Sequence, residues 1–141
     1  MSTEKKSAER SIVIDAAGSI LGRVASYAAK QALLGKQVSI VNCKKVLLTG
    51  KRGTAIREYN LARRRGGSSL NGPFFPKNPE RIVKRTVRGM VNYQQQRGLD
   101  AFKRVMCYNE VPAELAQSTK ISLLRKTNAR TTDLEDLSRE I

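Results

Sequence analysis

Residues 11–43 constrain the fold of this chain more than any other segment, because their apolar residues change period twice. Residues 11–15 and 37–43 are short β-branched runs, which are typical of buried strands. Between them the apolar residues recur with the period of an α-helix, at Leu21, Val24, Ala25, Ala28 and Ala32. A strand, a helix and a strand within about thirty residues predict a right-handed βαβ unit with a parallel strand pair.

The turns around this predicted helix contain several small residues. Ser19 is in position to cap the start of the helix, and Gly35 is a typical residue after its last turn. Gly18 and Gly22 lie at a strand-to-helix turn, where nucleotide-binding folds place phosphate-binding glycines. They do not form a Gly-x-Gly-x-x-Gly motif, and Asp15 precedes them instead of following by about twenty residues. The spacing therefore favours close packing of strand and helix over a cofactor site.

The residue types on which most enzymes and metal sites depend are scarce. The Gly-Lys dipeptide that ends at Lys51 suggests a P-loop, but Lys45 replaces its first glycine and Arg52 replaces the Ser or Thr that binds magnesium. Histidine is absent, and two cysteines are too few for a zinc site. Cys43 and Cys107 each end an apolar run, so we expect buried, reduced thiols. We therefore expect no enzymatic activity, no cofactor and no metal.

The net charge of the chain is +15, and most of it lies in the middle of the sequence. Residues 44–104 contain 16 Lys and Arg against three acids, a net charge of +13. The segments on either side have net charges of +3 and −1. This distribution predicts a polyanionic partner for the middle segment. Because we find neither a secretory signal nor an apolar run long enough to span a membrane, we expect a cytoplasmic protein.

Residues 81–90, taken as a helix, divide into a basic face and an apolar face. The apolar face contains Val83, Val87 and Met90, with Ile82 beside them. Asn78 is expected to cap the helix, and Pro79 suits its first position. The basic face, here called the cationic ridge, consists of Arg81, Lys84, Arg85 and Arg88. Like charges at this spacing repel one another, so we predict that the helix lies on the phosphate backbone of a nucleic acid.

A second basic segment follows residue 62. It consists of Arg63, Arg64, Arg65, Gly66 and Gly67. Glycine lets the main chain approach a phosphate backbone, and arginine donates two hydrogen bonds to phosphate oxygens. Further candidates for phosphate contacts are Lys51, Arg52 and Lys77. A solvated loop and a solvated helix are the alternatives for the two basic segments, but their occurrence together favours nucleic-acid binding.

The rest of the chain predicts shorter elements. Phe74 and Phe75 could stack on bases, but the prolines on either side favour a role as core anchors. We expect a short apolar run at 46–49, a helix at 54–64, an extended loop at 63–77, a helical turn at 99–103, a strand at 104–108, and helices at 111–117 and 132–141. We further expect residues 1–10 to be a flexible tail and residues 11–141 to form a single α/β domain.

Three segments, taken in order, form a recognisable pattern. The first is Val-Ile-Asp-Ala-Ala-Gly-Ser-Ile-Leu-Gly-Arg-Val-Ala-Ser at residues 13–26. The second begins with Val-Asn-Cys at residues 41–43 and ends with Leu-Thr-Gly at residues 48–50. The third is Arg-Thr-Val-Arg-Gly-Met at residues 85–90, preceded by Gly-Pro-Phe-Phe-Pro-Lys at residues 72–77. Together they resemble the universal large-subunit ribosomal protein L13 family in its archaeal and eukaryotic form.

The resemblance implies a three-layer α/β/α fold with a small, mostly parallel sheet and a basic loop and helix extension. It also implies a structural role without enzymatic activity, in which the protein binds large-subunit ribosomal RNA early in assembly, beside other ribosomal proteins. Two alternatives remain at this point, a free-standing RNA-binding translational regulator and a nucleotide-dependent enzyme on the same βαβ scaffold. Neither a membrane nor a small-molecule substrate is expected as a partner.

Overall fold

The structure is a computed structural model that describes residues 10–65 and 74–141, so the predicted tail lies outside it except for Arg10. The first βαβ unit has the predicted elements, strand β1 (Ser11–Asp15), helix α1 (Leu21–Leu33) and strand β2 (Gln37–Val41). The elements that follow are β3 (Leu47–Thr49), α2 (Arg52–Arg64), α3 (Pro79–Met90), α4 (Gln96–Lys103), β4 (Val105–Cys107), β5 (Lys120–Ser122), β6 (Thr131–Asp133) and α5 (Leu134–Glu140). Within the two described ranges, no helix has the length and apolar character needed to cross a membrane.

Four strands form one parallel sheet in the order β4–β2–β1–β5. Ile14 of β1 lies opposite Ile40 of β2, which confirms the parallel pair predicted by the βαβ pattern. Strand β4 extends the sheet beside β2, and strand β5 extends it beside β1. Strands β3 and β6 form a separate antiparallel pair. The α/β class with a small, mostly parallel sheet is therefore confirmed, and it is consistent with the three-layer fold that the resemblance implies.

The core lies where α1 and α3 pack against each other and against the sheet. Helix α1 buries mostly alanines, and their small side chains allow α3 to approach it closely. The fully buried larger side chains of the cluster include Ile14, Val24, Ile40, Val46, Val83, Val87, Val105, Leu134 and Leu137. Because α5 contributes the last two of these, the C-terminal helix belongs to the same core as the βαβ unit.

Helix α1 ends at the predicted glycine. Gly35 has a φ of 91°, in the left-handed region that favours glycine. Its N–H donates to the Ala32 carbonyl, and the N–H of Lys36 donates to the Gln31 carbonyl. This pair of hydrogen bonds is the Schellman motif, which satisfies the free carbonyls of the last helical turn.

The start of α1 differs from the prediction. Ile20 occupies the cap position and no side chain bonds to the first N–H groups, so the predicted Ser19 cap is wrong. Main-chain hydrogen bonding places Ser19 outside the helix, since the Ser19 carbonyl accepts a hydrogen bond from the N–H of Leu47 at the start of β3. Strand β3 thus holds this turn, and the Ser19 hydroxyl is buried without a partner among the described atoms.

The two glycines of this turn have different surroundings. Gly18 has a φ of 71°, and a Cβ atom placed there would lie 2.9 Å from the side chain of Leu124. Gly22 is exposed, and a Cβ atom on it would contact nothing within 4 Å. Close packing therefore applies to Gly18, against the segment after β5, whereas the prediction of close packing at Gly22 is wrong.

Two short strands in the C-terminal region were not predicted. Residues 120–122 form β5, which completes one edge of the sheet, and residues 131–133 form β6 instead of the first turn of the last helix. The helix expected at 111–117 is only a 3₁₀ turn at Ala113–Leu115. Strands of three residues have little pattern of their own, and their partners lie far away in the sequence.

Candidate nucleic-acid interface

Helix α3 is attached to the body of the protein through one apolar face. Ile82, Val83 and Val87 are buried, and Val83 and Val87 are fully so. Burial of side chains of this size stabilises the fold by about 1.5–3 kcal/mol each. Met90 was expected on this face but is 43% exposed at the last residue of the helix. The apolar face is thus confirmed except at its last residue.

The N-terminus of α3 is capped from a distance. Asn78 occupies the cap position, but its side chain makes no capping hydrogen bond, so this part of the prediction is wrong. The Asn109 side-chain oxygen instead accepts a hydrogen bond from the main-chain N–H of Glu80, at 3.1 Å. Pro79 is buried at the first helical position, as predicted. The segment after β4 therefore fixes the end of the helix from which the cationic ridge begins.

Three of the four cations of the ridge lie over aromatic rings. The pairs are Lys84 with Phe102, Arg85 with Phe75 and Arg88 with Tyr93, with distances from cation to ring centroid of 5.2, 4.1 and 5.0 Å. Contacts of this kind contribute about 0.5–1 kcal/mol each at exposed sites. They also restrict long, flexible side chains before any ligand binds, which lowers the entropic cost of binding. The ridge is therefore partly preorganised.

Sequence reasoning missed these aromatic partners. Phe75 and Tyr93 flank α3 in the sequence, and Phe102 comes from α4, so aromatic residues close to a basic helix were the available signal. Phe74 is 77% exposed, so the prediction that it anchors the core is wrong. Phe75 is half-buried and supports a cation of the ridge. Phe74 and Phe75 therefore provide aromatic rings beside the ridge.

No acid neutralises the ridge within residues 10–65 and 74–141. The ion pairs in these ranges are Lys44 with Glu110, Arg52 with Glu140 and Arg139 with Glu135. The first of them raises the pKa of Lys44 and lowers the pKa of Glu110 through a hydrogen bond between exposed groups. The ridge cations therefore lie side by side on one helix face without an acidic partner among the described residues.

The second basic segment is only partly described. Arg63 donates a hydrogen bond of 2.6 Å to the main-chain oxygen of Ile141, and Arg52 pairs with Glu140 at 3.1 Å. Arg52 at the start of α2 and Arg63 near its end thus bind the last residue of α5 and the residue that follows it. The remaining described candidates, Lys51, Arg64, Arg65 and Lys77, are exposed. Gly66 and Gly67, which were predicted to approach a phosphate backbone, lie outside the described residues.

One aromatic contact region joins α2 to α3. Tyr59 of α2 lines a cleft of about 200 Å³ together with Phe75, Arg85 and Ile82. Burial raises the pKa of the Tyr59 hydroxyl, whereas the nearby Arg85 lowers it by a smaller amount. The structure therefore brings the helix that ends in Arg63 and Arg64 beside the ridge.

The two cysteines lie next to each other although they are distant in the sequence. Cys43 is fully buried after β2, Cys107 is half-buried at the end of β4, and both are free thiols, as predicted. A hydrogen bond with Cys107, followed by burial, raises the pKa of Cys43. Within the described part of the chain, no group of three or more potential metal ligands surrounds them. The predicted burial is therefore confirmed for Cys43, whereas Cys107 is only half-buried.

The sequence is similar to one known family along most of its length. Residues 9–114 match the family described as Ribosomal protein L13, and this range includes the ridge and the basic end of α2. The large ribosomal subunit protein uL13 of Methanosarcina barkeri is 48% identical over 112 residues, which is 79% of each chain. The corresponding proteins of Methanococcoides burtonii and Methanocaldococcus jannaschii are 40% and 39% identical, each over 92% of this chain and 96% of theirs.

Proposed function

The chain belongs to the ribosomal protein L13 family of structural constituents of the large ribosomal subunit, and we propose that it binds large-subunit ribosomal RNA. In this role it works in the cytoplasm as part of the ribosome, beside neighbouring ribosomal proteins, and catalyses no reaction. The proposed phosphate contacts are the ridge cations Arg81, Lys84, Arg85 and Arg88, together with Lys51, Arg52, Arg63, Arg64, Arg65, Gly66, Gly67 and Lys77.

The observation that supports this proposal most directly is the state of the ridge. Its four cations share one helix face without an acidic partner among the described residues, while the opposite face of the helix is buried in the core. A solvated helix would gain from interleaved acids, which reduce repulsion between like charges. A phosphate backbone supplies the missing negative charge from outside the protein and releases counterions as it binds.

The aromatic contacts of the ridge fit the same function. They hold Lys84, Arg85 and Arg88 in place, so that the cations face a ligand with few free rotations left to lose. Arginine predominates in the ridge, and its planar fork matches two phosphate oxygens at once. A partly preorganised cationic surface of this kind suits one spatial arrangement of phosphates better than others.

The proposal is tested by the salt dependence of binding. Wild-type protein should bind fragments of large-subunit ribosomal RNA with a log–log salt slope of about −0.7 to −0.9 per neutralised phosphate. A variant with Gln at all four ridge positions keeps the length of the side chains but loses their charge. Its slope should become less negative by about three units, since each lost phosphate contact removes close to one unit. An unchanged slope would exclude the ridge from the interface.

A matched control removes the same charge from elsewhere. Lys36, Arg125, Lys126 and Arg130 lie outside the ridge and form no ion pair with described residues. Changing these four to Gln should alter the slope by less than the ridge variant does. Sedimentation of cell extracts at high salt then separates a ribosomal constituent from a free-standing regulator, because a regulator would not migrate in constant ratio with large subunits.

A further inference from the structure

We infer that the ridge and the aromatic residues beside it form a pocket for one unstacked nucleotide of the bound RNA. This inference rests on the proposed function, and it states which form of RNA the ridge recognises. A uniform helical backbone would need only charge. The described surface offers charge, exposed ring faces and a cleft of limited size in one place.

The cleft is lined entirely by cations, aromatic rings and proline. Its volume is about 240 Å³, and its lining residues are Phe74, Pro76, Arg81, Lys84, Arg85, Arg88 and Phe102. Pockets for drug-sized ligands measure about 300–1,000 Å³, so this cleft accommodates one planar base rather than a larger ligand. No acidic side chain is among the lining residues, and this favours a ligand that carries negative charge.

Phe74 provides a ring face for stacking. Its side chain is 77% exposed, whereas the Phe102 ring, which also lines the cleft, is half-buried and lies below the ammonium group of Lys84. An exposed phenylalanine leaves a large apolar area in contact with water, and stacking on a base removes it. Bases that are not paired in a helix stack on aromatic side chains in this way.

The ridge cations complete the recognition of a nucleotide. Arg85 and Arg88 lie over Phe75 and Tyr93, so the planes of their guanidinium groups are held and can serve as a second stacking surface. Arg81 is exposed at the beginning of the ridge, where it can bind the phosphate attached to the stacked base. A base within a double helix presents no free face, so a bulge, a loop or a strand end is required.

The inference predicts a specific effect of replacing Phe74 with alanine. Loss of one stacked base should weaken binding to the large-subunit RNA fragment about 5- to 150-fold. The salt slope should remain that of the wild-type protein, because no charge is lost. Since Phe74 is mostly exposed, the variant should unfold at the wild-type temperature. The control is Leu124→Ala, which removes an apolar side chain that is 66% exposed and lies outside the cleft, and it should leave the affinity unchanged.

Ultraviolet crosslinking of the same complex gives an independent readout. A base stacked on Phe74 should crosslink to it, and mass spectrometry should find the peptide containing Phe74 joined to a nucleotide from an unpaired position. If Phe74→Ala binds like the wild-type protein and no such crosslink forms, the inference is wrong while the proposed function stands. If the wild-type protein does not bind the RNA fragment, or binds it without a steep salt dependence, the proposed function itself fails. A change in slope for Phe74→Ala would also overturn the inference.

Discussion

The guanidinium carbon of Arg85 lies 4.1 Å from the centroid of the Phe75 ring, so an aromatic side chain of the protein holds a cation of the proposed RNA-binding surface. Phe75 comes from the segment before α3, and Arg85 comes from the middle of that helix. Lys84 and Arg88 have comparable supports, but Arg85 lies closest to its ring. Charge alone therefore does not describe this surface, because the orientation of the charge is also built into the fold.

Replacement of Phe75 with leucine should reduce RNA affinity without removing any charge. A contact worth about 0.5–1 kcal/mol is lost, so affinity should fall about two- to fivefold at constant salt. The salt slope should not change. Phe75→Tyr keeps a ring face below Arg85 and should bind like the wild-type protein. Equal affinity for the leucine variant would show that the contact does not orient Arg85 for binding.

Replacement of Asn109 with alanine should destabilise the protein through the N-terminus of α3. Its side chain accepts the N–H of Glu80, so its loss should lower the free energy of unfolding by about 0.5–2 kcal/mol, as for other helix caps. Asn78→Ala is the matched control, since Asn78 makes no capping hydrogen bond. Chemical denaturation measures both. A larger effect at Asn78 than at Asn109 would reverse the assignment of the cap.

Replacement of Val87 with alanine should destabilise the protein more than replacement of Met90, because Val87 lies on the buried face of α3. Val87 is fully buried, and removal of two buried carbon atoms should lower the free energy of unfolding by about 2 kcal/mol. Met90→Ala removes a larger side chain that is 43% exposed, and we expect a smaller loss. Thermal unfolding of the two variants provides the comparison. Equal losses would mean that Met90 packs into the core after all.

Cys43 should resist alkylation in the folded protein, and its burial should make stability depend on alkaline pH. Its pKa is raised in the folded state, so this thiol stays protonated when the unfolded thiol ionises. The corresponding stability is present below the unfolded pKa of about 8.5 and decreases as pH rises above it. Iodoacetamide labelling followed by mass spectrometry should modify half-buried Cys107 before Cys43. Rapid labelling of Cys43 at pH 8 would contradict its burial.

The alkaline loss of stability can be assigned by a variant. Cys43→Ala should show a smaller decrease in unfolding temperature between pH 8 and pH 10 than the wild-type protein does. The comparison between the two proteins removes contributions from tyrosines and lysines, which titrate in both. An identical decrease would mean that Cys43 does not contribute to the pH dependence.

Replacement of Glu140 with glutamine should increase RNA affinity slightly. Glu140 pairs with Arg52 at an exposed site, so the pair contributes little stability and competes with phosphate for the same guanidinium group. We expect a gain of about twofold at low salt that disappears as salt is raised. Glu114→Gln removes an exposed acid that is unpaired among the described residues and serves as the control. A loss of affinity for Glu140→Gln would argue that Arg52 needs this partner to be positioned.

Long periodic segments of the sequence were sufficient to predict the main elements. The period of residues 11–43 predicts β1, α1 and β2, and the two faces of α3 follow from the spacing of its cations and valines. Gly35 marks the end of α1 because few other residues adopt a positive φ there. These features depend on neighbours within one or two turns of chain, so a local pattern contains the information that specifies them.

Other features depend on contacts between residues that are distant in the sequence. β5 and β6 have three residues each and exist only because β1 and β3 pair with them. Asn109 replaces Asn78 as the cap of α3, and Cys107 comes to lie beside Cys43, only after the strands have assembled. No local propensity specifies such partners. In the unfolded chain these polar side chains form hydrogen bonds with water, and the partner within the protein becomes available only when distant segments come together.

The cationic ridge illustrates both kinds of information. The sequence by itself determined that four cations share one face of a helix and that the chain resembles a ribosomal protein family. Only the tertiary structure decided how those cations are held, since Phe102 belongs to another helix and Phe74 is turned outwards instead of into the core. The physical reason is that helix periodicity is set by hydrogen bonds four residues apart, whereas the position of an aromatic ring is set by whatever surface the folded core leaves available.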